Sequence, residues 1–127
     1  PGSTAVLPFI DRAIPIVADA AVDFAFGTGA LKVTPAHDPV DFEVGRRHSL
    51  PMIEIFNDDA TLNSNAGAYE GLDRFVCRDQ LIADLRKAGF LQKIEPYSHA
   101  VGHCHRCQTM VEPRVSQQWF VRVAPLP

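Results

Sequence analysis

The sequence contains no apolar run approaching the roughly 20 residues that span a bilayer as a helix, and no charged-then-apolar signal segment opens it. It also lacks an excess of positive charge. Twelve Lys and Arg stand against 15 Asp and Glu, a formal net charge of −3 with a pI near 5.9. This argues against a basic nucleic-acid module, although a local patch can still contact RNA within an acidic whole. Cysteine is scarce and odd in number: three, of which two form Cys104-x-x-Cys107. That usage suits a reducing compartment better than a disulfide framework, so a cytoplasmic location is expected. No second CxxC, internal repeat or low-complexity segment occurs. What is present, 127 residues with 46% hydrophobic and 21% charged content, is ordinary for one modest soluble domain.

The densest chemistry lies in Phe26-Gly-Thr-Gly-Ala-Leu-Lys-Val-Thr-Pro-Ala-His-Asp-Pro-Val-Asp41. Gly27 and Gly29 flank Thr28, which allows a tight turn or a close approach of a ligand to the backbone. Residues 30–34 alternate enough to predict a short strand, which Pro35 stops because it has no N–H to donate. Asp38-Pro39 reads as an N-cap followed by proline at the first helical position. Asp41, three residues on, stands where an acidic side chain reaches free backbone N–H groups. Capping alone accounts for both aspartates. It leaves unexplained His37 before the cap, Lys32 on the strand and the upstream glycine pair. Together these supply a carboxylate for an amine, an imidazole for proton handling, a cation and small-residue access, a set suited to a polar substrate bearing an amino group. No serine or cysteine stands beside His37 as a nucleophile, so an ordered water is the expected attacker in any hydrolysis.

Around this corner the pattern predicts two strands in 5–10 and 13–17 joined by a tight turn at Asp11-Arg12, with Pro8 and Pro15 forcing an edge or irregular pairing. A helix follows over residues 39–48, with Arg46, Arg47 and His48 in its last turn as a solvated end. A strand is expected over 52–56, with 61–63 pairing back, then a surface loop over 63–71. The clearest helix covers 75–88, with Leu81, Ile82 and Leu85 as its stripe, Val76 or Cys77 one turn earlier, and Gly89 just past its end. A strand is expected over 90–97, and 111–114 and 118–123 read as extended. Trp119-Phe120 reads as core or interface packing. The sum is α+β, with a mixed or barrel-like sheet and two main helices. We divide it into residues 4–98 and a cysteine-bearing return segment, 99–127.

Cys104 and Cys107 form half of a tetrahedral zinc site, which needs four ligands. The missing pair is expected outside this sequence. His99 and His103 are the local alternative, in a small zinc-stabilised interaction domain. Cys77 reads as core.

The 26–41 run, Glu43-Val-Gly-Arg-Arg-His48, Gly71-Leu-Asp-Arg-Phe75, Cys104-x-x-Cys107, Val111-Glu-Pro113 and Ser116-Gln-Gln-Trp-Phe-Val121 together resemble the valyl-tRNA synthetases. Isoleucyl and leucyl enzymes share the Gly-rich turn and the closing Asp, but Lys-Val-Thr-Pro-Ala-His-Asp-Pro looks valyl. The resemblance implies the C-terminal part of the inserted editing domain, truncated on its N-terminal side, since no TxRPE-like segment is present. Its implied reaction is hydrolysis of threonine wrongly esterified to valine tRNA. A hydrophobic pocket rejects an isostere bearing a hydroxyl only weakly, and the valyl enzyme facing threonine is the standing illustration of that limit.

The resemblance also implies roles. Asp41 holds the substrate α-amino group, Asp38 and Thr34 are polar pocket groups, and Lys32 recognises the threonine hydroxyl. His37 orients the ester or the water, and His37, Asp38 and Asp41 form the catalytic set. Phe26 and the Gly27-Thr28-Gly29 turn receive the terminal adenosine. Cys104 and Cys107 belong to a zinc knuckle. ATP and magnesium are expected only in the parent catalytic core, with the tRNA 3′ end and the rest of the synthetase in cis as partners, and no membrane or DNA. The alternative is a module that holds the tRNA 3′ end without hydrolysing it.

Overall fold

A computed structural model describes residues 2–124. Strand β1 (Thr4–Leu7) pairs antiparallel with β2 (Arg12–Pro15), in the register Thr4 with Pro15 and Leu7 with Arg12. Pro8 ends β1, and the turn falls over residues 8–11, earlier than the predicted Asp11-Arg12. Phe9 and Asp11 take positive φ values there, 69° and 46°.

Helix α1 (Pro39–Arg47) begins as its sequence dictates. Asp38 accepts hydrogen bonds from the backbone N–H groups of Val40 and Asp41, and Pro39 occupies the first position. Helix α2 (Arg74–Lys87) starts one residue earlier than expected, because Asp73 caps it by accepting from Phe75 and Val76. Cys77, and not Val76, completes its inner stripe: Cys77 and Leu81 pack on a core of Leu62, Ala66 and Tyr69, while Val76 is exposed. The Tyr69 hydroxyl donates to Asp84 of α2 at 2.9 Å, and burial pushes its pKa up. The segment read as a loop over 63–71 instead contains a 3-10 helix, Ser64–Tyr69, capped by Asn63 and kinked at Gly67.

The expected sheet forms only in part. Among the described residues the two-stranded β1–β2 ribbon is the single sheet, and no barrel-like closure occurs. Residues 30–34, 90–97 and 118–123 form no strand, and 52–56 contributes one bridge, Phe56 with Leu62. Residues 61–63 do pair back, through Asn57 N–H to Thr61 and Asn63 N–H to Ile55. The alternation in 30–34, 90–97 and 118–123 is real, but a strand requires a partner backbone, and among the described residues none pairs with them. Trp119 and Phe120 are almost fully exposed, so their expected core role is not met in this chain. Its accessible surface is 10264 Å², against the roughly 6,700 Å² expected of a compact protein of this mass. No helix among the described residues is long and apolar enough to cross a membrane.

Candidate functional site

The corner between the Gly-rich turn and α1 is built as its local sequence requires. Gly27 and Gly29 both take positive φ, 57° and 70°, and Gly29 N–H closes the turn onto the Phe26 carbonyl at 3.1 Å. Residues 30–34 then run without ladder pairing to Pro35 and Ala36, both buried.

Asp41 is buried, 9% exposed. It does not cap the helix, as expected, but reaches across the corner. Its Oδ2 accepts from the Thr34 backbone N–H at 2.7 Å and from the Thr34 hydroxyl at 3.1 Å. Its Oδ1 makes no hydrogen bond among the described residues and is not sealed from solvent. Asp38 divides its oxygens similarly. Oδ1 accepts from Val40 and Asp41 N–H at 2.8 and 2.9 Å, while Oδ2 has no partner among the described residues. Each carboxylate is therefore fixed through one oxygen and free through the other. Lys32 is exposed, two residues before Thr34, with no ion pair or hydrogen bond among the described residues.

His37 is placed differently from its expected proton-handling role. Its Nδ1 lies 3.0 Å from the Pro113 carbonyl oxygen, and its Nε2 accepts the Ile55 backbone N–H at 3.0 Å. The ring packs edge-on to Phe56, centroids 4.9 Å apart. Both nitrogens are engaged by backbone, which leaves neither for a substrate or a water.

Beside the corner is a cleft of about 150 Å³, with Pro35, Asp38 and Phe42 on one wall and Pro113, Arg114 and Val115 on the other. Residues 110–115 form a strap pinned at both ends. Arg74 donates to the Met110 carbonyl at 3.0 Å and pairs with Glu112 at 3.3 Å. Arg114 pairs with Asp58 at 2.6 Å and Glu54 at 3.6 Å.

Phe26 is exposed and meets Tyr97 edge-on at 6.3 Å, and Tyr97 stacks on His99 at 5.6 Å. Thr28 is exposed at the turn. Cys104 and Cys107 stand at the tip of a hairpin closed by the His103–Met110 bridge and by Cys104 N–H to Thr109 at 2.8 Å. The Thr109 hydroxyl, 3.2 Å from Cys107 Sγ, leads in pulling that thiol down to about 7, helped by the Thr109 backbone and Cys104. Two adjacent thiols, one ionising near neutrality, fit half of a zinc site. His103 is turned onto the Val101 carbonyl and His99 onto Tyr97, and no group of three metal-type ligands forms among the described residues. The local four-ligand alternative is thus not assembled.

Two features escaped the sequence reading. Asp19 is gripped by Arg47 through Nη2 at 2.7 Å and Nε at 3.0 Å, and by His48 at 2.8 Å. Two of the three residues expected to form a solvated helix end, Arg47 and His48, thereby tie α1 to the segment before the glycine turn, while Arg46 stays exposed. The Arg47 guanidinium, the Ala21 N–H and His48 hold the Asp19 carboxyl well below the usual carboxylate range. Gly45 on α1 is buried against Pro35, so tightly that a Cβ there would lie 2.7 Å from the Pro35 Cβ. The one sequence signal for Gly45 was a glycine inside an otherwise good helix.

Residues 1–96 match the family model described as the editing domain of leucyl-tRNA synthetase. Over 98% of its length the chain is 58% identical to a valine–tRNA ligase of Thermotoga maritima, 57% identical to one of Dehalococcoides mccartyi and 54% identical to one of Carboxydothermus hydrogenoformans. It spans 14% of the length of each of these relatives.

Proposed function

The chain belongs to the leucyl-tRNA synthetase editing-domain family, and on that premise we propose that it serves a cytoplasmic valine–tRNA ligase as the part of its editing domain that hydrolyses threonine wrongly esterified to valine tRNA. The observation that carries this reading is Asp41, buried, with Oδ2 anchored by both the N–H and the hydroxyl of Thr34 while Oδ1 stays open. A carboxylate oriented through one oxygen presents the other in a fixed direction, which is what discriminating recognition of an α-ammonium needs.

In this mechanism Asp41 Oδ1 holds the ammonium of the threonyl ester and Lys32 meets the threonine hydroxyl. Phe26 and the Gly27–Gly29 turn, including Thr28, receive the terminal adenosine. Asp38 Oδ2, the oxygen its cap does not use, orients a water toward the ester carbonyl. The water oxygen bonds to the carbonyl carbon, the bond to the ribose oxygen breaks, and that oxygen leaves with a proton given up by the attacking water. The products are threonine and uncharged tRNA.

Zinc, where bound, would take two of its four ligands from Cys104 and Cys107 and would stiffen their hairpin. ATP and magnesium belong to the catalytic core of the parent enzyme. Exposed Phe24, Trp119 and Phe120 support a barrel-like sheet completed with strands from the rest of that enzyme.

The test is deacylation of threonyl-tRNA for valine by the full-length ligase carrying this chain, beside its Asp41→Ala variant. Accumulation of threonyl-tRNA in the variant is expected. Unchanged deacylation removes Asp41 from the site, and tRNA binding without deacylation by the parent leaves a 3′-end binding module.

A further inference from the structure

We propose that His37 is a positioning residue for this site and not its acid–base catalyst: a two-sided backbone clamp that holds the 110–115 strap as a wall of the cleft. The inference deepens the editing reading and rests on it for its effect on activity. A general base needs a nitrogen within reach of the water it activates. Here the Pro113 carbonyl, 3.0 Å from Nδ1, can only accept, and the Ile55 N–H, 3.0 Å from Nε2, can only donate. One protonation state satisfies both: neutral, with the proton on Nδ1. Which nitrogen carries it is dictated by the partners.

The clamp joins segments 18 and 76 residues away in sequence, and it sits one position before Asp38. Its strap bears Pro113 and Arg114, which face Asp38 across the cleft. Arg74 and Arg114 fix the strap on either side of Pro113 but make no hydrogen bond or ion pair to α1 among the described residues. Among the described residues His37 is therefore the hydrogen-bonded link between the wall and the corner.

Two measurements test this. Nitrogen-15 NMR of the chain itself should find a protonated-type Nδ1 and an unprotonated Nε2 at neutral pH. A protonated Nε2 overturns the clamp, whatever the protein does to tRNA. In the full-length ligase, His37→Gln keeps a donor and an acceptor but cannot carry a proton, so deacylation of threonyl-tRNA should stay within about threefold of the parent. His37→Ala loses both bonds, and kcat/KM should fall about tenfold. A folded His37→Gln protein as inactive as the alanine variant makes His37 catalytic and refutes the proposal. A parent enzyme that does not deacylate threonyl-tRNA refutes the editing reading and with it the positioning role, while the NMR result still decides the clamp.

Discussion

Replacing Gly45 with alanine sets two effects of known sign against each other. In the interior of α1, alanine should stabilise the helix by about 1 kcal/mol relative to glycine, because it restricts the unfolded chain. Against this, the added methyl would lie 2.7 Å from Pro35 Cβ, 2.9 Å from Pro35 Cγ and 3.2 Å from Met52 Cε. Met52 can rotate away, but Pro35 cannot. Its ring is rigid, Ala36 after it is 2% exposed, and Thr34 before it is tied to Asp41 by two hydrogen bonds. Overpacking against such a wall costs about 1–3 kcal/mol, so after the helix gain the net expectation is a loss of up to about 2 kcal/mol and a melting temperature lower by up to several degrees. Urea unfolding followed by circular dichroism measures this, and the Thr34 amide resonance reports whether the strain reaches the site. A variant clearly more stable than the parent would mean that Pro35 and α1 are not in the contact described.

Asp41→Asn keeps the acceptor for Thr34 but presents an uncharged amide to the substrate ammonium. Losing a charged hydrogen bond of about 1.5–3 kcal/mol should lower threonyl-tRNA deacylation roughly 10- to 150-fold with little change in unfolding midpoint, and a matching fall in stability would make Asp41 purely structural. In the metal-free chain Cys107, with its thiol near 7, should alkylate faster at neutral pH than Cys77, whose thiol burial pushes up. Mass spectrometry reads the order, and zinc should slow Cys107 if the hairpin binds it. The Asp19 carboxyl is depressed in the folded state, so its stabilisation is present above the ordinary carboxylate pKa of 3.8 and is lost as pH falls below it. Asp19→Asn should therefore destabilise the chain at pH 7 and flatten its acid unfolding, and parallel acid titrations of the two proteins would contradict this.

Several parts of the fold could be read directly because their partners lie within a few residues. Gly27 and Gly29 announced the tight turn they make, and Asp38-Pro39 announced the start of α1. Asp41 was legible as a carboxylate able to take up nearby backbone N–H groups. Its attachment to Thr34 was not, since helix capping offered an equally good local use for it. The strands expected at 30–34, 90–97 and 118–123 failed for a related reason: alternation marks a backbone fit for pairing without supplying the partner.

By itself, then, the sequence determined the turns, the caps, the helical stripe and the family likeness. These follow from steric and hydrogen-bonding preferences that act over three or four residues, or from the identity of the residues alone. Tertiary structure alone decided that His37 joins Ile55 to Pro113, that Asp19 takes up Arg47 and His48, and that Gly45 admits Pro35. Each of these depends on which distant backbone or side chain is brought to hydrogen-bonding or van der Waals distance. No local propensity encodes that choice, because it is made by the packing of the whole chain.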